Sequence, residues 1–348
     1  MKFTATSSPP AGRESVSRHR FAAGLGATMI LGCLLVAGSA RAAPVCAHHL
    51  PSAPTLKRLH EAMGQGRFVA YEPTSLVVRD GRPSQADRAS IRADLEVLRP
   101  RFDSLITYGA LHGAEAIPAI ATELGFRALV IGIWNPFDEA EVEAAFAAAR
   151  RYPALVVGIS VGNELVFAHR RSAAELSSRL AALRARAPAV PLATTEPFHI
   201  FYSDEESVVL GEVDFLLANV HPVFQPWFRR APDGNAAEFV VSVVGKLAER
   251  YCGAILVKET GVPTAPAAAG FSAARQAGFY RELRRQFPPT PARAFAYFVA
   301  FDAPWRVQDQ QASPGIHPEE AHWGLYDEAR RPKDVVREIP PLAATGSR

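Results

Sequence analysis

The chain is 348 residues long, 48% apolar and 21% charged, which excludes a disordered polymer and leaves room for one large core or two small ones. Its formal net charge is only +3. Lys2, Arg13, Arg18, Arg20 and Arg41 against the single Glu14 place all of that excess in the first 42 residues, so the remainder offers no net basic charge to nucleic acid or an anionic membrane.

In chain order the first element is a leader. A basic stretch ending at Arg20 precedes Phe21–Ala40, rich in Ala, Gly and Leu, and Ala40-Arg41-Ala42 follows as a small-residue cleavage site. That order predicts a signal peptide over residues 1–42, cleaved to give a secreted or periplasmic protein, with an uncleaved N-terminal anchor as the alternative. No later segment is long and apolar enough to span a bilayer. Cleavage leaves Cys46 and Cys252, which either pair in an oxidising compartment or remain two thiols. Neither cysteine has metal-ligand spacing, and His48-His49 has no partner motif. No zinc site and no cofactor are expected.

From residue 67 on, apolar runs alternate with amphipathic helical patterns. The first strand is Phe68–Tyr71, followed by a helix over Gln85–Leu98 with Ile91, Leu95 and Leu98 on one face. Strand Ser104–Tyr108 leads to a helix at Ala114–Leu124 stopped by Gly125. Strand Ala128–Trp134 leads to a helix at Glu139–Arg151. The fourth run, Ala154–Ile159, ends in Glu164 and precedes a helix at Ala173–Arg186, where Ser172 and Glu175 form a capping box. A short fifth strand is Leu192–Thr195. A weak helix at Glu206–Leu210 precedes the sixth, Phe215–Val220. A helix at Ala236–Tyr251, the strand Ala254–Glu259, a helix at Ala273–Phe287, the eighth strand Phe295–Phe301 and a last helix near Lys333–Glu338 complete the series.

Strands alternating with helices predict a parallel sheet, and eight such units predict closure into a single-domain (β/α)8 TIM barrel over residues 67–340. Residues 43–66 form an N-terminal lead-in and 341–348 a tail. An open doubly wound sheet is the rival, but it lacks its glycine-rich phosphate loop: Pro73-Thr74-Ser75 follows the first strand.

Barrel enzymes carry their chemistry at the carboxyl ends of the strands. There the sequence places Tyr71, Tyr108, Trp134, Asn163-Glu164, Glu196, Asn219 with His221, Glu259, and Asp302 with Trp305. Two glutamates among aromatic rings match what glycosidic cleavage requires: one acid to protonate the leaving oxygen, one carboxylate to attack or stabilise the oxocarbenium-like centre. The rings offer apolar platforms for sugar faces. Glu196 reads as a ligand or a supporting partner rather than a third acid. Asp302 stands between a sugar contact and a salt bridge.

At these residues the chain resembles glycoside hydrolase family 17, the β-1,3-glucanases of the clan-A barrels, and bacterial members more than plant ones. The matching pieces are Val161-Gly162-Asn163-Glu164 and Glu259-Thr260-Gly261-Val262-Pro263, with Thr107-Tyr108-Gly109, Asn219-Val220-His221-Pro222-Val223-Phe224, Phe301-Asp302-Ala303-Pro304-Trp305 and His322-Trp323-Gly324-Leu325. The resemblance implies that Glu164 is the acid/base and Glu259 the nucleophile of a retaining enzyme, that Asn163 bonds a sugar 2-hydroxyl, and that Tyr71, Tyr108, His221, Trp305 and Trp323 line the cleft. Ile106, Val299, His221 and Val262 depart from the family's usual Arg, Glu, Tyr and Trp. The expected function is hydrolysis of a β-1,3-glucan poly- or oligosaccharide by a monomer. The alternatives are a transglycosylase using the same site and, in a different class, a carbohydrate-binding barrel without turnover.

Overall fold

Eight short apolar runs lie side by side in parallel and close on themselves. They are β1 (Phe68–Ala70), β2 (Ser104–Ile106), β3 (Ala128–Ile133), β4 (Val156–Asn163), β5 (Leu192–Pro197), β6 (Phe215–Asn219), β7 (Ala254–Glu259) and β8 (Arg293–Tyr297). Each pairs with its neighbours in sequence, and β1 also pairs with β8, so no edge is left open. The structure, a computed structural model, describes residues 43–47, 53–186, 189–308 and 317–343. The expected signal peptide lies outside those residues.

Alternation along each strand sorts the side chains into two layers. Phe68, Ile106, Val130, Val157, Phe215 and Leu256 fill the barrel interior, while Val69, Leu105, Leu129, Val156, Leu216 and Ile255 meet the surrounding helices. The outer ring includes α2 (Arg88–Leu98), α3 (Ile117–Glu123), α4 (Glu139–Arg151), α5 (Ala173–Arg186), α6 (Asp233–Arg250) and α7 (Ala273–Gln286). The capping box forms as expected: Ser172 Oγ accepts from Glu175 N at 3.2 Å and Glu175 Oε2 accepts from Ser172 N at 2.8 Å.

Four details differ from the sequence reading. The lead-in contains a helix, α1 (Ala53–Gln65), whose Leu59, Ala62 and Met63 join the interior cluster, with Leu56 packed against it. That stripe of apolar residues is short and interrupted by Lys57, Arg58, His60 and Glu61, which hid it. Helix α2 begins at Arg88 rather than Gln85, because Asp87 caps it by accepting from Ser90 N at 2.7 Å. A small hairpin pairs Val78–Arg79 with Arg82–Pro83 in what reads as a loop. Finally, β8 ends at Tyr297: beyond it Phe298 N donates to Thr260 O and Ala300 N to Ala70 O, both at 2.9 Å, so the expected strand end is shared between both neighbours.

Cys46 and Cys252 are joined, with their Cα atoms 5.2 Å apart. Val45 N donates to Arg250 O beside them. The link ties the start of the described chain to the end of α6.

Candidate active site

The two glutamates sit where their strands lose regular pairing. On β4, Ser160 faces Ala193 and Asn163 faces Thr195, so β4 carries one extra residue there. Gly162 has φ +79° and Glu164 φ +53°, left-handed backbone that a glutamate adopts only when its surroundings hold it. Glu164 N donates to Thr195 O at 2.8 Å, and Asn219 Nδ2 donates to Glu164 Oε1 at 2.7 Å.

On β7 the ladder runs from Ala218–Val257 to Asn219–Glu259 and skips Lys258. Glu259 is buried; its Oε2 lies 3.4 Å from His221 Nε2 and its Oε1 3.5 Å from Lys258 Nζ. The Thr260-Gly261 step that follows has a steric cause. A Cβ at Gly261 would fall 2.2 Å from Phe298 O.

Both glutamates face one cleft of about 500 Å³ at the carboxyl ends of the strands. Of the residues expected from sequence, Tyr108, Trp134, Asn163, Asn219, His221, Trp305 and Trp323 line it with them. Trp323 is fully buried against His221 and Phe298, with ring centroids 5.1 and 5.2 Å apart. A side recess of about 250 Å³ shares Tyr108, Trp134 and Trp305 and runs beneath the 78–83 hairpin.

Three expected residues are not brought to the cleft. Tyr71 is buried, lines only the recess, and donates to Asp94 Oδ2 at 2.9 Å. Glu196 is buried and accepts from Val166 N at 2.9 Å and Phe167 N at 3.1 Å, pinning the loop that follows Glu164. Burial pushes its carboxyl up to about 7, against the opposing pull of those backbone donors. Asp302 accepts from Gly324 N at 2.8 Å and Lys333 Nζ at 2.7 Å, the salt-bridge half of its two readings.

Sequence reasoning missed Glu72, Phe167, Phe198, Phe224, Phe298, Arg306 and Glu320 on the cleft wall. Arg306 Nη2 donates to Glu72 Oε2 at 2.8 Å, and its guanidinium lies 5.2 Å from the Phe298 ring centroid. Only the eight-fold closure brings Glu72 beside Arg306, so no local motif announces the pair. Among the described residues no group of three or more His, Cys, Asp or Glu could hold a metal ion.

Electrostatics separates the two carboxylates. Glu164 is raised above its ordinary range, first by burial and then by the negative charge of Glu259. Burial would raise Glu259 as well, but Lys258 and His221, with Arg306 beyond them, outweigh it and hold Glu259 at about 2. The two carboxyls of one cleft are thus displaced in opposite directions, Glu164 upward and Glu259 downward.

A closed parallel barrel with that pair of carboxylates has the layout of a glycosidase. Residues 69–324 match the BtgE/BtgC glycoside hydrolase domain, and the chain belongs to that family. It is 26% identical over 264 residues to a glucan 1,3-beta-glucosidase of Arthroderma benhamiae, covering 71% of this chain and 84% of that protein. Among solved structures it resembles the glycoside hydrolase family 17 β-1,3-glucanosyltransferase of Rhizomucor miehei, with a TM-score of 0.60 and 22% identity over 79% of this chain and 98% of that one. It also resembles an endo-laminarinase from Formosa, with a TM-score of 0.63 and 19% identity over 83% and 94% of the two chains.

Proposed function

We propose that the protein is a secreted, retaining glycoside hydrolase that cleaves β-1,3-glucan by double displacement. The observation that carries the reading is the opposite treatment of Glu164 and Glu259 within one cleft. Glu259, kept anionic, attacks the anomeric carbon. Glu164 gives its proton to the departing glycosidic oxygen, then as a carboxylate takes a proton from the water that releases the sugar. Because Asn219 donates to Glu164 Oε1, the acid's proton belongs on Oε2, and that oxygen remains free for the leaving group. The β-1,3 linkage is supported by the named activities of the relatives. Export is supported by the leader sequence and by a disulfide of the kind that persists in oxidising compartments.

The reading is tested on laminari-oligosaccharides by following the anomeric form of the first product with NMR. Release of the β-anomer first supports retention; release of the α-anomer first rejects the assignment of Glu259 as nucleophile. A second reading, transfer of the glucosyl unit to another sugar, is favoured by the exposed rings of Phe167 and Phe224 on the cleft rim, 47% and 59% accessible, beside Phe198. Such a rim could seat an acceptor sugar in place of water. Products longer than the starting oligosaccharide at millimolar substrate would favour transfer, and free glucose or short oligomers would favour hydrolysis.

A further inference from the structure

Lys258 stands immediately before Glu259. Leu256 faces the barrel interior and Val257 the helices, so strand alternation carries the Lys258 side chain inward. Val257 and Glu259 have partners on β6 and Lys258 has none, so the bulge brings Glu259 to the same side as the lysine before it. The residue is 1% exposed. Nζ donates to Asn163 Oδ1, lies 3.5 Å from Glu259 Oε1, and sits 4.2 Å from the centroid of the Tyr108 ring. One cation therefore spans the barrel from the end of β7 to the end of β4 and touches a neighbour of each glutamate's strand end. It is not among the residues that line the cleft.

We propose that Lys258 is a positioning residue for this reaction: its buried ammonium locks the Glu259 carboxylate and the Asn163 amide into one arrangement. The inference rests on the hydrolase reading above. An ammonium only donates, so it fixes which end of the Asn163 amide faces it. Oδ1 turns down to Lys258, and Nδ2 is left to donate toward a sugar oxygen in the cleft. Burying an ammonium is costly unless it is paired, and a carboxylate, an amide oxygen and a π face supply that compensation. The charged and titratable groups facing Lys258 are Glu259 on its own strand, Glu164 just past β4 and Arg306 in the segment after β8, with Tyr108, just past β2, against it. Those facing Glu259 include His221, which follows β6, and Glu320. Burial lowers Lys258 from its ordinary value, and the two glutamates oppose that.

The test uses the full chain with laminaritriose. Lys258→Gln keeps a donor for Asn163 but drops the charge, and Lys258→Met drops both. Each, if it folds with a Tm near wild type, is expected to lower kcat/KM by about 10²-fold and to move the acid limb of its pH profile upward by about one unit or more. Lys258→Arg should return that limb toward wild type. A residue that merely filled space would lower the amplitude without moving the limb, and an unmoved limb in a folded variant overturns the proposal. If the neutral variants do not fold, wild-type enzyme is labelled at Glu259 with an epoxyalkyl β-glucoside. Half-maximal labelling well below pH 4 supports the proposal, and half-maximal labelling in the ordinary glutamate range overturns it. Failure of the hydrolase reading looks different: wild type itself would release no sugar.

Discussion

The ends of β4 and β7 are built with one device and put to opposite uses. Each strand carries an extra residue just where its glutamate emerges, and each glutamate faces the same cleft. Around Glu164 the direct partner is a neutral amide, Asn219, and the nearby charge that matters most is negative. Around Glu259 the partners are Lys258 and His221, with Arg306 further out. Identical carboxyls are therefore pushed in opposite directions by their neighbours alone.

The strongest way to break this comparison is to remove each carboxylate in turn. Glu259→Ala and Glu164→Gln should each lower turnover on laminaritriose by about 10⁴-fold. On the proposed roles they should also differ from one another: with an activated aryl β-glucoside, azide should restore rate to Glu259→Ala as an α-glycosyl azide and to Glu164→Gln as the β-product. Rescue with the same anomer in both would merge the two roles.

The pH profile of kcat/KM reads the same asymmetry without mutation. On the proposed roles, activity needs Glu259 deprotonated, which holds above about 2, and Glu164 protonated, which holds below a value raised from the ordinary glutamate range. The expected profile is a bell with its acid limb near pH 2 and its basic limb above the usual carboxylate range. A profile rising toward neutral pH would contradict the assignment.

Asn219→Ala sharpens the Glu164 side. Loss of its bond to Oε1 should cost about 10²-fold in kcat. Because that bond lowers the Glu164 pKa, its removal should move the basic limb upward and leave the acid limb in place. The backbones can be compared as well. Gly261→Ala drives a Cβ onto Phe298 O, while Gly162→Ala meets the end of the Leu165 side chain at 2.6 Å in a left-handed residue. Chemical denaturation should show the first losing about 3 kcal/mol and the second about 1–2, since a carbonyl cannot move aside as a leucine can.

Much of the barrel was legible because β-branched runs and helical stripes are local signals. Val156–Asn163 and Ala254–Glu259 read as strands from their own residues, and the Asn163-Glu164 and Glu259-Thr260-Gly261 steps marked where those strands stop being purely structural. The residues whose placement differed from the reading are polar groups claimed by distant partners. Tyr71 is taken by Asp94 and Asp302 by Lys333, 23 and 31 residues further along the chain. Lys258 was passed over because a lysine closing an apolar run carries no local mark of its partners, and Asn163 and Tyr108 reach it only through the closed barrel.

The amino-acid order by itself determined the eight alternating units, the barrel they imply and the two glutamates at its mouth, since periodicity and residue type act over a few positions. Tertiary structure decided which carboxyl is raised and which lowered, which aromatic rings reach the cleft and which polar residues vanish into the scaffold. Those outcomes depend on burial and on charges brought within a few ångströms from strands scores of residues apart, and no local pattern encodes such a distance.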